Sequence, residues 1–517
     1  MATPSEKLAE SLGLLKALQD SNGAAAIKTS DISRTHRERL IENGFLQEVM
    51  KGWYIPTKPG EQPGSSTAWY ASFWNFCEVY LKDRFNNNWS LSPEQSLLIH
   101  TGNWTVPHQL LIKSPNAGNN NTPLPHNTSL FDIRANIPEP VDRQEVNGLV
   151  LYSLPASLIN ISAAFFKSNA TDVRTGLLMI RDASEVLPRL LDGGHTVIAG
   201  RLAGAFRNIG RDRIADDIIN AMQSAGYDAR ENDPFESRVI SFTGRETSPY
   251  VGRLKIMWQQ MRGLIIERFP EPLGLPKNHE GFLKQVQDVY VTDAYHSLSI
   301  EGYKVTPDLI ERVRSGTWDP QSDGKDKEHR DALAARGYWQ SYQAVVASIK
   351  RILNGENPGQ VADKDHGTWY RELFAPSIAV GILRPSDLAG YRNGPVYIKN
   401  SMHVPLNRDA VRDAMPALFD LLKEEAHPAV RVVLGHFVFV YIHPYMDGNG
   451  RTGRFLMNAM LSSGGYPWTV IPVDVRRAYM EALEEASVNQ NIVPFTNLLS
   501  DLVRKGLEGE PPPRIPS

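Results

Sequence analysis

The strongest constraint on this chain is the apolar run from Val430 to Ile442, interrupted by Arg431 and His436 and stopped by His443-Pro444. It is too long for an ordinary buried strand, so despite its β-branched residues it predicts a buried helix. The residue before a proline is pushed out of helical geometry, which ends that helix at His443. Asp447-Gly448-Asn449-Gly450 then makes a tight turn. A second helix opens at Arg451 and continues through Phe455, Leu456, Ala459 and Met460. The order is helix, glycine-rich turn, helix N-terminus.

Backbone N–H groups in such a turn converge, and the helix dipole adds positive potential at the same place. Arg451 and Arg454 are three apart, so both can reach a polyphosphate. Asp447 is the one carboxylate of the turn, and Mg²⁺ is commonly held by one or two carboxylates plus phosphate oxygens. His443 precedes the turn with a side chain suited to taking a proton near neutral pH. Each residue alone has a commoner structural role. Together they predict a nucleotide phosphate site with a metal ligand and a base, and phosphoryl-type transfer needs mainly positioning and charge neutralisation.

The rest of the chain sets the context. At 517 residues two to four domains are expected, and 41% hydrophobic with 22% charged residues supports globular cores. A net charge of −3 gives no general affinity for nucleic acid or anionic membrane. Cys77 is the only cysteine, so neither an intramolecular disulfide nor a cysteine zinc cluster can form. That usage, with no signal-like N-terminus and no membrane-spanning run, predicts a cytoplasmic protein without membrane contact.

Thr3, Pro4 and Glu6 make a capping box ahead of Leu8, Leu12, Leu15 and Leu18 at helical spacing, stopped by Asn22-Gly23. A short basic helix follows, capped by Ser33, with Arg34, Arg37 and Arg39 outward, Leu40 and Ile41 inward, and Asn43-Gly44 at its end. Phe45–Met50, a Lys51-Gly52 turn and Trp53–Pro56 read as a hairpin. This is the order of a winged helix over 1–62, with DNA as a candidate partner of the three arginines. The stretch Ser33 to Pro56 also weakly resembles the N-terminal domain of abortive-infection type IV antitoxins.

Residues 63–240 read as an α+β module. Strands are expected at Phe131–Arg134 and Leu149–Tyr152, and a loop at Asn116 to Thr128. Helices are expected at Ala156 to Phe166, Thr171 to Leu191 and Arg211 to Ser224. Gly200, Gly204 and Gly210 form no dinucleotide fingerprint and are expected to allow close helix packing. The polar stretch Arg230 to Pro249 marks the main boundary. A helical domain is expected over 241–508, with a charged loop at Asp319 to Arg330 and a disordered tail at 509–517.

The run His443 to Arg454 matches the Fic family signature, His-Pro-aromatic-x-Asp-Gly-Asn-Gly-Arg-x-x-Arg, at every specified position. The resemblance extends over roughly Gly281 to Leu502, including Gly465-Tyr466-Pro467 and Ile471-Pro472. It implies a mainly α fold: an all-helical Fic domain with a small β-hairpin flap, here preceded by the α+β region. It implies transfer of AMP from Mg·ATP to a Tyr, Ser or Thr hydroxyl of a target protein. His443 would be the base and Asp447 the Mg²⁺ ligand. Gly448, Asn449 and Gly450 would form the anion hole, with Asn449 near the α-phosphate. Arg451, Thr452, Gly453 and Arg454 would complete the nucleotide site, with Arg454 at the γ-phosphate. The flap would span 395–404, with its turn at Lys399-Asn400-Ser401; it would hold the target segment by strand addition, and Ile398, Lys399 and Asn400 would belong to the nucleotide site. Tyr479 falls where the family places an aromatic against adenine, and Ser487 stands near the family's usual base-contacting Asn.

Ser297-Leu298-Ser299-Ile300-Glu301-Gly302 matches the family's inhibitory motif, [Ser/Thr]-x-x-x-Glu-[Gly/Asn]. A carboxylate beside Arg454 would occupy the donors a γ-phosphate needs. In some family members the same glutamate, with a metal, positions water for AMP removal. A kinase-like relative carries Ala and Lys inside the turn, which Gly448, Gly450 and Arg451 do not follow. A homodimer is expected from the family's habit. The alternative reading is a DNA-binding or toxin–antitoxin-type regulator whose Fic part senses nucleotide.

Overall fold

A computed structural model describes residues 3–22, 26–60, 65–236, 248–318 and 326–516. It divides into two compact units, Met1–Pro249 with Tyr397–Val404, and Tyr250–Val396 with Pro405–Ser517. Among the described residues no helix is long and apolar enough to cross a membrane.

The first unit opens with α1 (Pro4–Asn22), β1 (Ile27–Lys28), α2 (Arg34–Glu42), β2 (Leu46–Met50) and β3 (Trp53–Pro56). The capping box forms as expected: the Thr3 N–H donates to Glu6 Oε2 at 2.7 Å, and the Glu6 N–H to Thr3 Oγ1 at 3.3 Å. The hairpin gains a third strand that its two-residue length hid from the sequence, giving the antiparallel order β1-β3-β2. Leu15, Leu40, Leu46 and Tyr54 pack together beneath it. Ile41 does not join them: neighbours on a helix point about 100° apart, and Ile41 is exposed beside buried Leu40. Ser33 stands at the N-cap of α2 without a side-chain capping bond.

The module then runs α3 (Thr67–Phe85), β4 (Ser90–Leu91), α4 (Pro93–His100), β5 (Gln109–Ser114), β6 (Asn121–Leu124) and β7 (Thr128–Arg134). A hairpin follows, β8 (Arg143–Val146) and β9 (Leu149–Tyr152). The four-stranded sheet has the order β4-β5-β7-β6, with β5 and β7 parallel. β6 lies inside the expected loop, with Pro123 opposite Ser129. An edge strand has one side without a ladder, so proline is tolerated there and its presence was a poor reason to exclude a strand. The aromatic face of α3, with Trp69, Phe73 and Phe76 fully buried, builds the core against this sheet.

Six helices close the unit: α5 (Leu154–Asn160), α6 (Ala163–Ser168), α7 (Ala170–Met179), α8 (Leu187–Asp192), α9 (Thr196–Asn208) and α10 (Asp212–Ser224). The expected helix Ala156 to Phe166 is therefore two, and Thr171 to Leu191 breaks after Met179 at an Asp182–Glu185 capping box. α9 was not anticipated. Its Gly200 and Gly204 serve a backbone contact rather than helix packing. A β-carbon would stand 1.9 Å from the Arg230 carbonyl oxygen at Gly200, and 2.2 Å from that of Asn232 at Gly204. The Asn232 N–H donates to the Gly200 carbonyl at 3.0 Å.

The second unit is helical: α11 (Pro249–Ile266), α12 (His279–Asp288), α13 (Tyr290–Ile300), α14 (Pro307–Ser315), α15 (Asp326–Leu353), α16 (Pro358–Ala379), α17 (Arg408–Glu424), α18 (Pro428–Ile442), α19 (Asn449–Ser462), α20 (Arg476–Val488) and α21 (Val493–Leu507). The expected loop Asp319 to Arg330 gives way to α15 from Asp326, and residues 319–325 lie outside the described ones. Much of the polar boundary, 237–247, does too. The tail has no regular structure, but the backbone at Pro513 and Arg514 lies against His296.

At the centre α18 packs on α19. A β-carbon at Gly453 would meet Val440 Cγ2 at 3.1 Å and His436 at 3.3 Å, so this glycine lets the two helices touch. α18 is buried over nearly its whole length, as its apolar run required.

The glycine contacts on α9 yield a prediction. Gly204→Val places side-chain atoms inside the backbone of 232–233, which cannot yield as a flexible side chain would. Overpacking of this kind costs about 1–3 kcal/mol or more. The variant should lower the urea midpoint of the transition that near-ultraviolet signals of unit 1 report.

Candidate active site

The turn between α18 and α19 is shaped by its own sequence. His443 caps α18 in the left-handed region, φ 55, ψ 61, ahead of Pro444. Its Nδ1 lies 3.2 Å from the Val440 carbonyl. A carbonyl only accepts, so Nδ1 carries the proton and Nε2 keeps the lone pair. Gly448 has φ 79, and a β-carbon there would also strike the Phe374 ring at 2.9 Å. Tyr445 stacks on Tyr370 with ring centroids 3.6 Å apart. Asn449, expected near a phosphate, instead spends its buried amide on the turn: Oδ1 accepts from the Tyr445 N–H at 2.9 Å, and Nδ2 donates to the Tyr445 carbonyl at 2.8 Å. Its contribution to an anion hole is thus the backbone, because first-turn N–H groups of a helix lack intrahelical partners.

Glu301 fills the mouth of that helix. It follows the last residue of α13, and Gly302 at φ 87 turns the chain away behind it. Glu301 Oε1 accepts from Arg454 Nη2 at 2.7 Å. A β-carbon on Gly450 would stand 2.3 Å from the same oxygen, so the carboxylate rests against the start of α19. Ser297 supports the pair: its Oγ accepts from Arg454 Nε at 2.9 Å, and its carbonyl from Nη2 at 3.0 Å. Burial pushes the Glu301 carboxyl up, but Arg454 and Arg451 outweigh it and hold the pKa below the usual range. Arg454 Nη1 is buried with no hydrogen-bond partner, 3.2 Å from where that same β-carbon would sit. An unpaired buried cationic donor at a helix N-terminus is suited to a second anionic oxygen.

Arg451 is enclosed rather than open. Its guanidinium lies 5.2 Å from the Tyr303 ring centroid and 5.1 Å from that of Phe374. Arg451 Nη2 approaches Asp447 Oδ2 at 3.5 Å. Asp447 is largely exposed and caps the turn by accepting from the Gly448 N–H at 2.6 Å. Thr452 is buried, and its hydroxyl has no hydrogen-bond partner.

Other expected residues make contacts of their own. Tyr479 is 1% exposed, and its hydroxyl meets His436 Nε2 at 2.8 Å, so it is a core residue with no open face for a base. Burial raises its pKa to about 12. Ser487 donates its hydroxyl to the Leu483 carbonyl at 2.8 Å, as helical serines commonly do. Ile398, Lys399 and Asn400 belong to the first unit. The expected flap has its turn there, with Asn400 at φ 58 and the Ser401 N–H donating to the Ile398 carbonyl at 3.2 Å, but no strand pairing; the Asn400 N–H donates to Thr67 Oγ1. In α2, Arg34 pairs with Glu38 at 2.6 Å on the surface. Arg37 lies over the Tyr54 ring, and Arg39 turns inward to the Lys7 carbonyl and Ser11 Oγ, both at 2.8 Å.

Arg392 was not anticipated. It is buried, donating from Nε to the His443 carbonyl at 2.7 Å, from its backbone N–H to the Pro444 carbonyl at 2.9 Å, and from Nη2 to the Leu406 carbonyl. It fixes the backbone on which His443 stands. Its partners are main-chain oxygens far along the chain, so no side-chain pattern announced it. Asp293 was missed for a similar reason: it is buried, accepts from the Tyr338 hydroxyl, and burial raises its pKa to about 6.

A family model described as the Fic/DOC family matches residues 364–461, which span the turn and both arginines. Those residues are a Fic domain. The chain is similar to the protein adenylyltransferase Fic of Nematostella vectensis, 25% identical over 280 residues, covering 53% of this chain and 60% of that protein. It is 30% identical over 228 residues to the protein of the same description in Drosophila willistoni, covering 43% of this chain and 42% of that one. The chain thus matches about half the length of these relatives. Among solved structures, a Fic-1 fragment from C. elegans covers 63% of this chain and 90% of its own, at 16% identity and a TM-score of 0.36.

Burial drives His443 and His436 of the Fic domain down to about 4 from an ordinary value of 6.5. Their neutral forms are favoured by folding, so each adds stability that is complete above pH 6.5 and is lost as pH falls towards 4. Asp293 acts in the opposite sense, so a difference measurement is needed. The urea midpoint of His436→Gln should fall less between pH 7 and pH 5 than that of the parent chain.

Proposed function

We propose that this chain transfers AMP from ATP to a hydroxyl of a protein target and that Glu301 restrains it. One observation carries this reading: a carboxylate oxygen is held between Arg454 and the start of α19, 2.3 Å from where a β-carbon on Gly450 would lie. An anionic oxygen is thus accommodated at the start of α19, where this reading places a phosphate oxygen. The description shared by the relatives, protein adenylyltransferase, supports the same chemistry.

In that reaction the target oxygen bonds to the α-phosphorus, the α–β anhydride bond breaks, and pyrophosphate carries away the electron pair. His443 Nε2 takes the hydroxyl proton. Burial, with Arg392 beside it, keeps the ring neutral at pH 7, and the negative charge of a bound triphosphate would make it a stronger base. Arg454 offers Nη1, and Nη2 once Glu301 withdraws. Among the described residues no three His, Cys, Asp or Glu side chains gather to hold a metal, but Asp447 presents an exposed carboxylate beside the turn. That fits an Mg²⁺ ion that takes its remaining ligands from phosphate and water. When bound, it would neutralise charge on the leaving pyrophosphate. Withdrawal of Glu301 to a water-positioning role would permit hydrolytic removal of AMP, in which water oxygen bonds to phosphorus and the target oxygen leaves as the hydroxyl. The DNA-directed alternative is less supported, since Arg37 and Arg39 are engaged within their own unit.

Incubation of purified variants with α-labelled ATP and lysate proteins tests the proposal. Glu301→Gly should raise protein labelling about tenfold or more, equivalent to removing roughly 1.4 kcal/mol of competition. Adding His443→Ala should reduce it about 10²–10⁴-fold, the range for loss of a general base. No magnesium-dependent nucleotide binding by Glu301→Gly in calorimetry would refute the reading.

A further inference from the structure

Asp293, Ser297 and Glu301 follow one another at four-residue spacing, so they lie along one face at the end of α13. Glu301 and Ser297 bond Arg454 directly. Asp293 reaches it through two hydroxyls. Its Oδ2 accepts from the Tyr338 hydroxyl of α15 at 2.5 Å, and the Ser297 side chain bonds to that same hydroxyl. Ser297 Oγ in turn accepts from Arg454 Nε at 2.9 Å. All four residues are buried, and the Tyr338 ring packs on Phe455, the neighbour of Arg454, with centroids 4.8 Å apart.

With Asp293 ionised, the protons of this chain run one way. Arg454 donates and cannot accept, and Ser297 Oγ, having accepted from Nε, has one proton of its own to give. Burial holds the Tyr338 hydroxyl well above its ordinary pKa, so it keeps its proton and gives it to Asp293. Burial also raises the Asp293 carboxyl to about 6, against the Tyr338 bond and the charge of Arg454, which leaves it ionised at pH 7 and able only to accept. A buried guanidinium and a buried carboxylate are thus joined through Ser297 and Tyr338.

The two acids grip the arginine differently. Glu301 holds it by Nη2, whereas the chain from Asp293 holds it by Nε and leaves Nη1 unengaged. A long side chain that lost Glu301 with nothing else to fix it would regain rotamer freedom. We propose that Asp293 and Tyr338 are positioning residues that keep Arg454 aimed at its anion when Glu301 is absent. This rests on the reading that Arg454 binds the triphosphate of ATP. Asp293 supplies the counter-charge that stays, and Tyr338 conveys it to Ser297. The guanidinium therefore meets the nucleotide already oriented and loses less freedom on binding.

The test measures magnesium-dependent ATP binding by calorimetry in the full chain carrying Glu301→Gly. Tyr338→Phe deletes the hydroxyl and keeps the ring, and should raise the ATP Kd about tenfold, the scale of one hydrogen bond to a charged group. Asp293→Asn leaves Tyr338 an acceptor but removes the charge, and should raise the Kd several-fold. Arg454→Lys puts a methylene where Nε stood, so the chain has nothing to hold, and adding Tyr338→Phe to it should change the Kd no further. An unchanged Kd with either single substitution would overturn the proposal. So would a loss of the same factor in the Arg454→Lys background, because the effect would then not pass through Arg454. If Tyr338→Phe loses its native near-ultraviolet signal, Asp293→Asn carries the same cycle. Either overturning result from a Glu301→Gly parent that binds ATP sinks the positioning role alone, whereas a parent that binds none refutes the nucleotide reading together with it.

Discussion

The site is organised around one buried charge. Arg454 lies on the inward side of α19, with its side chain almost wholly removed from water. A buried guanidinium is costly without partners, and the N-terminus of the same helix adds positive potential beside it. Both demands are met by hydroxyl, carbonyl and carboxylate oxygens from a single helix end: Ser297, and then Glu301 one turn later. The positions of α13 and α19 are thus fixed by charge as well as by apolar packing. Removing the acid leaves the arginine needing another anion, so on the proposed reading restraint and substrate binding would fall on one group.

The turn that presents this charge is held from below. Tyr445 is clamped by a stacked Tyr370 and by both polar atoms of Asn449, and Arg392 gathers the carbonyls on either side of His443. These contacts cross-link a loop that carries a left-handed histidine and a left-handed glycine. Such backbone states persist only where surrounding structure over-determines them.

Much of this was legible in the sequence because the informative residues are close together. The apolar run, the proline after His443 and the glycines of the turn state their geometry locally, and Glu301 with Gly302 announces a helix end carrying an acid. What the sequence hid depends on tertiary neighbours. Asn449 reads as a ligand residue, yet its amide is consumed by Tyr445. Tyr479 reads as a platform, yet it is buried beside Arg454 and hydrogen-bonded to His436. In the first unit β1 is too short to show a period and β6 contains a proline, while α9 conceals itself through glycines that admit a neighbouring backbone. The flap's turn was visible, but its attachment depends on a serine–threonine pair more than 330 residues away.

Gly450 has a consequence for how this protein can change. The space left by its missing side chain is taken by the Glu301 carboxylate, and by the present reading a phosphate oxygen would use the same space. Even a methyl group there would obstruct both occupants. Mutation at this position therefore cannot separate regulation from turnover, and any retuning of the restraint has to arise on α13 or at its contacts, where inhibitor and substrate no longer share a surface.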